Sequence, residues 1–307
     1  AEAKPLGLSS VKLTGGEPLL HPGFREICDL ATREELDLVM ETNGTLLTAD
    51  LARYLKNETA MGYISVSIDS ADAVRHDAFR GAHGAFAAVL RGLDHLVAAG
   101  YENVQVIMSV HRRNQSEIAA VARLAAAHGA ASLKLNPVTS CGRGAAMNQR
   151  GETLDFAERR ALDHYIFKEL PALLRAERTP LDLLLHTPLA LMPISEILRR
   201  RGDTGECGVL GILGILGSGE IALCGIGRNI PELVYGRLGA DSIRAIWLHH
   251  PTISKLRQAL DDETNYPAIC RGCTLARRCR TGCVALNFVN GQQLLWPDAL
   301  CAEAYQK

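Results

Sequence analysis

The stretch Ser10–Pro18 reads SVKLTGGEP: a short buried strand that runs directly into two glycines. Glycines let a backbone approach a ligand closely and turn its amide and carbonyl groups toward it. Glu17 beside them is placed to hold an ammonium or hydroxyl group; the plain alternative is a tight turn with an exposed glutamate. Outward from this point the same grammar repeats. Pro22–Glu34 reads as a helix with proline in its first turn. Leu36–Thr42 is a second strand, Thr48 opens a helix to about Lys56, and Tyr63–Ile68 is a third strand. Phe86, Val89, Leu90, Leu93, Leu96 and Val97 mark one apolar helix face that stops at Gly100. Val104–Val110 and Ser132–Val138 read as strands four and five, with a helix from Gln115 to His128 between them. A helix around Asp155–Arg175 and a strand at Leu181–Leu185 form a sixth unit. Repeated βα units build either a doubly wound sheet or a barrel, and both place ligands at the C-terminal strand ends.

Those ends carry polar residues. The second strand closes on Glu41-Thr42-Asn43-Gly44, and the third on Ser67-Ile68-Asp69-Ser70. Ser67 and Asp69 share a face and suit a ribose, although Asp69 could instead cap the next helix. The fourth strand carries Ser109, and the fifth ends at Asn136-Pro137, where Pro137 can pack on a flat ring.

With 307 residues and a formal net charge of −1, the chain has room for two domains and no field that steers nucleic acid or anionic membrane. No run of 18 apolar residues suggests a span. The expectation is a cytoplasmic α/β protein that binds neither nucleic acid nor membrane. All nine cysteines except Cys28 and Cys141 fall between Cys207 and Cys301, as Cys207-x11-Gly219-x4-Cys224, then Cys270-x2-Cys273-x5-Cys279-x3-Cys283, then Cys301. Such close spacing lets short loops wrap several thiolates around a metal centre. Disulfides need an oxidising compartment, and no basic, apolar signal segment opens the sequence. The spacing alone leaves zinc and iron–sulfur both open. Gly208–Gly219 reads as a glycine-rich hairpin arm that returns through Ile221–Leu223, and helices are expected at Asp241–Leu248 and Thr252–Leu260. His21, His186, His249 and His250 read as packing or surface residues, and Cys28 as core.

The TGGEP, ETNG and SIDS strand ends, the last followed by His76-Asp77-Ala78-Phe79-Arg80-Gly81, resemble the radical S-adenosylmethionine (SAM) enzymes. The cysteine string is similar to the seven-cysteine SPASM extension of that superfamily. The resemblance implies a partial (β/α)6 TIM-like barrel over residues 1–190 and a small cysteine-rich α+β cluster-binding domain over 191–307. It implies that Gly15, Gly16 and Glu17 hold the amino group of SAM, and that Ser67 and Asp69 face its ribose or carboxylate. Arg80 would meet the carboxylate, and Leu135 and Pro137 would line the adenine. Two auxiliary [4Fe–4S] clusters are implied, one on Cys207, Cys224 and Cys283, the other on Cys270, Cys273, Cys279 and Cys301. The first is one thiolate short, which leaves an iron open to substrate, water, a non-cysteine ligand or Cys141.

The family also needs a Cys-x3-Cys-x2-Cys loop for the SAM-binding cluster, and this sequence has none. Either the first βα unit lies outside this chain, which is the expectation favoured, or the chain is a degenerate homologue that lost the loop; as it stands it would not cleave SAM. The implied function is a radical SAM maturase that takes electrons from a ferredoxin or flavodoxin and modifies a peptide or protein. Two alternatives stand beside it: an enzyme that modifies tetrapyrrole side chains, and a non-catalytic iron–sulfur scaffold or electron carrier.

Overall fold

The computed structural model describes residues 2–201, 208–227 and 230–305. Its main sheet has six parallel strands in sequential order: β1 (Ser10–Leu13), β2 (Asp37–Thr42), β3 (Met61–Ser67), β4 (Gln105–Val110), β5 (Ser132–Pro137) and β6 (Asp182–Leu185). Between them run α1 (Phe24–Arg33), α2 (Ala49–Glu58), α3 (Ala73–Arg80), α4 (Ala85–Ala98), α5 (Ile118–Ala127) and α6 (Arg143–Gln149). The helix expected before the sixth strand is α7 (Phe156–His164), a π turn over Tyr165–Glu169 and α8 (Leu170–Ala176) in unbroken succession. Sequential order with parallel pairing is the barrel-type alternative left open by the repeat, rather than the doubly wound one.

Alternation along the strands separates two faces. Leu38, Met40, Ile64, Val66, Val106, Met108, Leu133 and Leu135 are all 0% exposed and form the core against the helices. The opposite face is polar: Lys12, Glu41, Ser65, Ser67, Gln105, Ser109, Ser132, Lys134 and Asn136 lie on it. Ser65 donates to Gln105 at 3.2 Å and Gln105 to Ser132 at 3.2 Å, so a hydrogen-bonded row crosses three strands. Lys134 on β5 interacts electrostatically with Glu41 on β2 and Lys12 on β1. Strands that far apart in a flat sheet could not share charges, so this face is concave.

Local chemistry fixes the helix ends. Thr48 caps α2 by accepting from Leu51 N at 3.1 Å, and Asp155 forms a capping box with Glu158 at the start of α7. At the crossing of α4 and the loop after β2, a Cβ on Gly92 would lie 2.3 Å from the Gly44 carbonyl oxygen. Only glycine permits that approach.

After α9 (Ile194–Arg199), the chain builds a second sheet of antiparallel strands β7 (Gly214–Ile215), β8 (Glu220–Ala222) and β9 (Val234–Arg237). The expected hairpin is there, and β9 adds a third strand that the sequence reading lacked. Helices α10 (Ile243–His249), α11 (Pro251–Asp261), α12 (Ala268–Arg271), α13 (Ala276–Cys279), α14 (Val284–Gly291) and α15 (Ala299–Ala304) follow. Ile221, Leu233, Tyr235, Ile253, Leu256 and Val284 belong to a separate, smaller apolar cluster. Among the described residues, no helix is long and apolar enough to cross a membrane.

Candidate functional site

Two groups of residues carry chemistry, one at the C-terminal strand ends and one among the cysteines. At the first, Gly15 has φ +114°, a conformation L side chains rarely adopt, and a Cβ on Gly15 or Gly16 would touch nothing within 4 Å. The turn therefore faces open space, as a ligand-approaching backbone needs. Glu17 is engaged elsewhere in part. Its carboxylate accepts from Thr42 Oγ1 at 2.6 Å, from Asn43 N at 2.7 Å and from Leu19 N at 3.2 Å. It ties the GGEP turn to the ETNG loop.

Asp69 and Arg80 are brought together rather than presented separately. Asp69 is 1% exposed, its Oδ2 lies 2.6 Å from Arg80 Nη2 and its Oδ1 accepts from Ser109 N at 2.8 Å. Asn114 Nδ2 donates to the Asp69 carbonyl at 2.9 Å. Besides the ligand contacts expected of them, Asp69 and Arg80 form an internal ion pair. The capping role weighed for Asp69 falls to Asp72, which accepts from Arg75 N at 2.9 Å. Ser67 ends β3, half-buried on the concave face. Pro137 ends β5, also half-buried.

Leu135 calls for a correction. Its side chain is fully buried in the core between sheet and helices, on the face opposite Lys134 and Asn136. It cannot line a ligand with that side chain.

Sequence reasoning missed a charged set on the concave face. Lys12 donates to Glu41 at 2.5 Å and Thr14 donates to the same carboxylate at 3.1 Å. Although burial pushes Glu41 upward, Lys12, Lys134 and Thr14 hold it below the ordinary carboxylate range. Burial depresses Lys134 despite Glu41. The signal was present: SVKLT and SLKLN each set one lysine among apolar alternates.

His76 and His111 flank this end. Asp69 N donates to His76 Nδ1 at 3.3 Å, and the His111 ring stacks on Phe79 with centroids 4.9 Å apart. Burial lowers both imidazoles.

In the second group Cys207 lies outside the described residues. The other six cysteines of the string are free and half-buried, Cys141 is half-buried in the loop before α6, and Cys28 is fully buried in the main core. Their electrostatics sort the six into two sets. Burial pushes Cys301 up to about 12, with Asp298, Cys279, Cys270 and Cys273 adding to it. Burial likewise raises Cys279 to about 11, and Asp298, Cys270 and Cys273 again contribute. Cys283 is raised by burial and, among the cysteines, feels Cys224, with Asp298 adding to it, while amides of Leu286 and Ala285 at the start of α14 oppose the shift. Helix amides of that kind favour a thiolate. Gly214 comes close to the other member of this set: a Cβ there would lie 3.0 Å from Cys224 Cα.

Among the described residues, no three His, Cys, Asp or Glu side chains converge tightly enough to hold a single metal ion. A tetrahedral ion needs its ligands within about 2.3 Å of one point. A cluster spreads its thiolates over separate irons, and soft sulfur donors suit it. The six described thiols of the string are soft donors of that kind.

The sequence reading also missed Asp298, which caps α15 through Leu300 N at 2.9 Å and is raised by burial. It lies within electrostatic reach of Arg159 on α7. Arg159 donates to Thr187 Oγ1 at 3.2 Å and to the His186 carbonyl, and Thr187 donates to the buried Asp163 at 2.7 Å. These contacts run from the helices of the main sheet to the cysteine region.

Residues 1–125 match the model of the Radical SAM superfamily. The chain is 28% identical over 313 residues to the mycofactocin maturase MftC of Mycobacterium ulcerans, covering 96% of this chain and 75% of that protein. It is 29% identical over 293 residues to the AdoMet-dependent heme synthase of Methanosarcina barkeri, covering 92% of this chain and 81% of that one. Among solved structures it is similar to Streptococcus suis SuiB bound to the precursor peptide SuiA, with a TM-score of 0.74 and 14% identity over 98% of this chain and 66% of SuiB. It also resembles anSMEcpe with bound AdoMet and a peptide, with a TM-score of 0.66 and 14% identity over 97% of this chain and 81% of that one. The matched residues contain the Gly-Gly turn, the Asp69–Arg80 pair and strands β1 to β4, so the likeness to the radical SAM superfamily falls on the part of the chain that builds the strand-end group.

Proposed function

We propose that the chain is the SAM-binding and auxiliary-cluster part of a radical SAM maturase that modifies a peptide or protein. The observation that carries this reading is the similarity to MftC, which extends over 96% of the chain and so spans both sheets. Residues 1–190 then form the partial barrel and 191–307 the cluster domain. The two apolar clusters support that division, one drawing on Phe24 to Leu185 and the other on Val209 to Ala285.

In this reading Gly15 and Gly16 offer main-chain groups to the amino end of SAM, braced by Glu17. Ser67 and the main chain near Pro137 meet its ribose and ring. The Asp69–Arg80 pair fixes the third strand end against the fourth. SAM bound to a [4Fe–4S] cluster supplies a 5′-deoxyadenosyl radical that abstracts hydrogen from an inert C–H bond. The concave polar face positions the substrate and keeps water from the radical. The free edge of β1 is where a further βα unit with a cluster loop would pair. Cys270, Cys273, Cys279 and Cys301 would hold one auxiliary cluster, and Cys224, Cys283 and Cys207 the other. A ferredoxin or flavodoxin would supply electrons. The heme-synthase relative supports a second reading, tetrapyrrole modification, at similar identity.

Anaerobic iron analysis and product analysis test this. Iron equivalent to about two [4Fe–4S] clusters is expected on this chain. In the holoenzyme, 5′-deoxyadenosine should form with a peptide substrate and not with porphyrins. Stoichiometric zinc without iron, or product formation driven by porphyrin alone, would sink the maturase reading.

A further inference from the structure

Tyr235 Oη, Thr281 Oγ1 and His250 Nδ1 are buried polar atoms of the cysteine region with no hydrogen-bond partner. A buried hydroxyl left unpaired costs about 1–3 kcal/mol, so each calls for a reason. Tyr235, on β9, is 7% exposed and belongs to the apolar cluster that Cys224 and Cys283 pack against. Cys224 lies two residues beyond β8, the strand paired with β9, and within electrostatic reach of the Tyr235 phenol. The His250 ring lies against Tyr235, centroids 4.7 Å apart, and limits where the phenol can go.

Thr281 stands in a different setting with the same outcome. It is 3% exposed and is the middle residue of Arg280-Thr281-Gly282, whose φ values are 50°, 67° and 88°. A β-branched residue in the left-handed region costs roughly 1–2 kcal/mol, and such strain persists only where its surroundings enforce it. Here Asn287, 1% exposed, donates to the Thr281 carbonyl at 2.5 Å, and Gly282 N donates to the Cys279 carbonyl at 2.9 Å. This turn is the whole link between Cys279 of one thiol set and Cys283 of the other. It therefore places a buried hydroxyl with no protein acceptor in the segment that joins the two sets.

We propose that Tyr235 and Thr281 donate hydrogen bonds to the sulfurs of the auxiliary iron–sulfur centres and set their reduction potentials. Tyr235 serves the centre at Cys224 and Cys283, and Thr281 the junction between the two. The proposal rests on the cluster-bearing reading above. Sulfide and thiolate sulfurs accept hydrogen bonds, and donors favour the reduced, more negative state, so they raise the potential.

The test is an EPR-monitored redox titration of the anaerobic holoprotein, with iron content measured first. Tyr235→Phe and Thr281→Val each remove only the hydroxyl and keep the shape. Each is expected to lower the potential of an auxiliary centre, with up to about a tenfold fall in its reduced-to-oxidised ratio, or about 59 mV for a one-electron couple. Thr281→Ser keeps the hydroxyl and should titrate like the parent. Tyr101→Phe is the control: its buried hydroxyl donates to the Met61 carbonyl at 3.1 Å in the main core, and its loss should move no potential. Unchanged potentials in both Tyr235→Phe and Thr281→Val, at full iron content, overturn the proposal while the cluster reading stands. Absence of iron from the parent protein overturns both.

Discussion

Leu93 on α4 and Cys301 on α15 are both drawn away from water, to opposite effect. Leu93 is 0% exposed among Val89, Leu96 and the sheet, and its burial contributes about 2 kcal/mol of stability on its own. Cys301 is only half-buried, and burial with its acidic neighbours pushes its thiol up to about 12, which keeps it protonated unless a metal takes the proton's place. The contrast extends to whole regions. The parallel sheet seals one face with aliphatic side chains and pairs its buried charges. The cysteine region has a small apolar cluster, half-buried thiols, a carboxyl raised by burial at Asp298, and hydroxyls without acceptors. One region is stabilised by packing. On the reading proposed above, the other is arranged around a ligand that would satisfy its sulfurs and hydroxyls together.

That contrast can be broken, and the strongest attempt is metal removal. Iron chelation under reducing conditions should unfold residues 208–305 selectively, since structural metal sites contribute on the order of 10 kcal/mol. Hydrogen exchange should rise there and stay slow in β2 to β5; uniform protection after chelation would erase the distinction. Next in size is Gly92→Ala, which drives a Cβ into the Gly44 carbonyl oxygen and should cost about 2–3 kcal/mol. Urea unfolding should show the loss in the main sheet alone, with iron content unchanged.

A smaller effect is expected from acid. Burial depresses His76 and His111 in the fold; Asp69, Arg80 and Asp77 face the first, and Asp69, Glu152, Arg113 and Glu117 the second. A folded-state value below the unfolded one means that protonation favours the unfolded chain. Stability is then complete above about pH 6.5 and is lost as the pH falls through the folded values, by up to about 1.4 kcal/mol per pH unit for each histidine. Urea midpoints from pH 8 to 5 should show this slope, and His76→Asn should flatten part of it. The smallest effect belongs to Lys134→Met. Burial lowers the Lys134 value, so the folded state disfavours the ammonium, and the variant should gain up to about 1 kcal/mol at pH 7. The gain should fade as the pH approaches about 10.4, where the unfolded chain also loses its proton. A destabilised Lys134→Met variant would mean that the charge holds the concave face together.

The same contrast governs how much could be read from residues alone. Strands β1 to β6 and helices α1, α2, α4, α5 and the run from α7 to α8 were legible because alternation and helical spacing are local patterns, whereas the short α3 and α6 were not. Leu135 was assigned to the ligand although Lys134 and Asn136 on either side share the concave face; strand parity places Leu135 with the core. The Asp69–Arg80 pair and the Glu17 brace were not legible, because they join residues from different loops. β9 escaped notice as a four-residue strand containing Gly236. In the cysteine region the spacing announced metal chemistry, whereas Tyr235, Thr281 and Asp298 had no pattern to mark them. Their meaning comes only from what surrounds them.

β1 pairs with β2 on one side only among the described residues, and Leu8 and Leu20 near it are 38% and 72% exposed. A bare strand edge is a template for any other extended chain. In handling this chain by itself, the edge is where copies of the polypeptide are expected to nucleate aggregates in concentrated solution, and a further paired strand would suppress it. A basic substitution at Leu20 should raise the concentration at which turbidity appears without altering thermal unfolding.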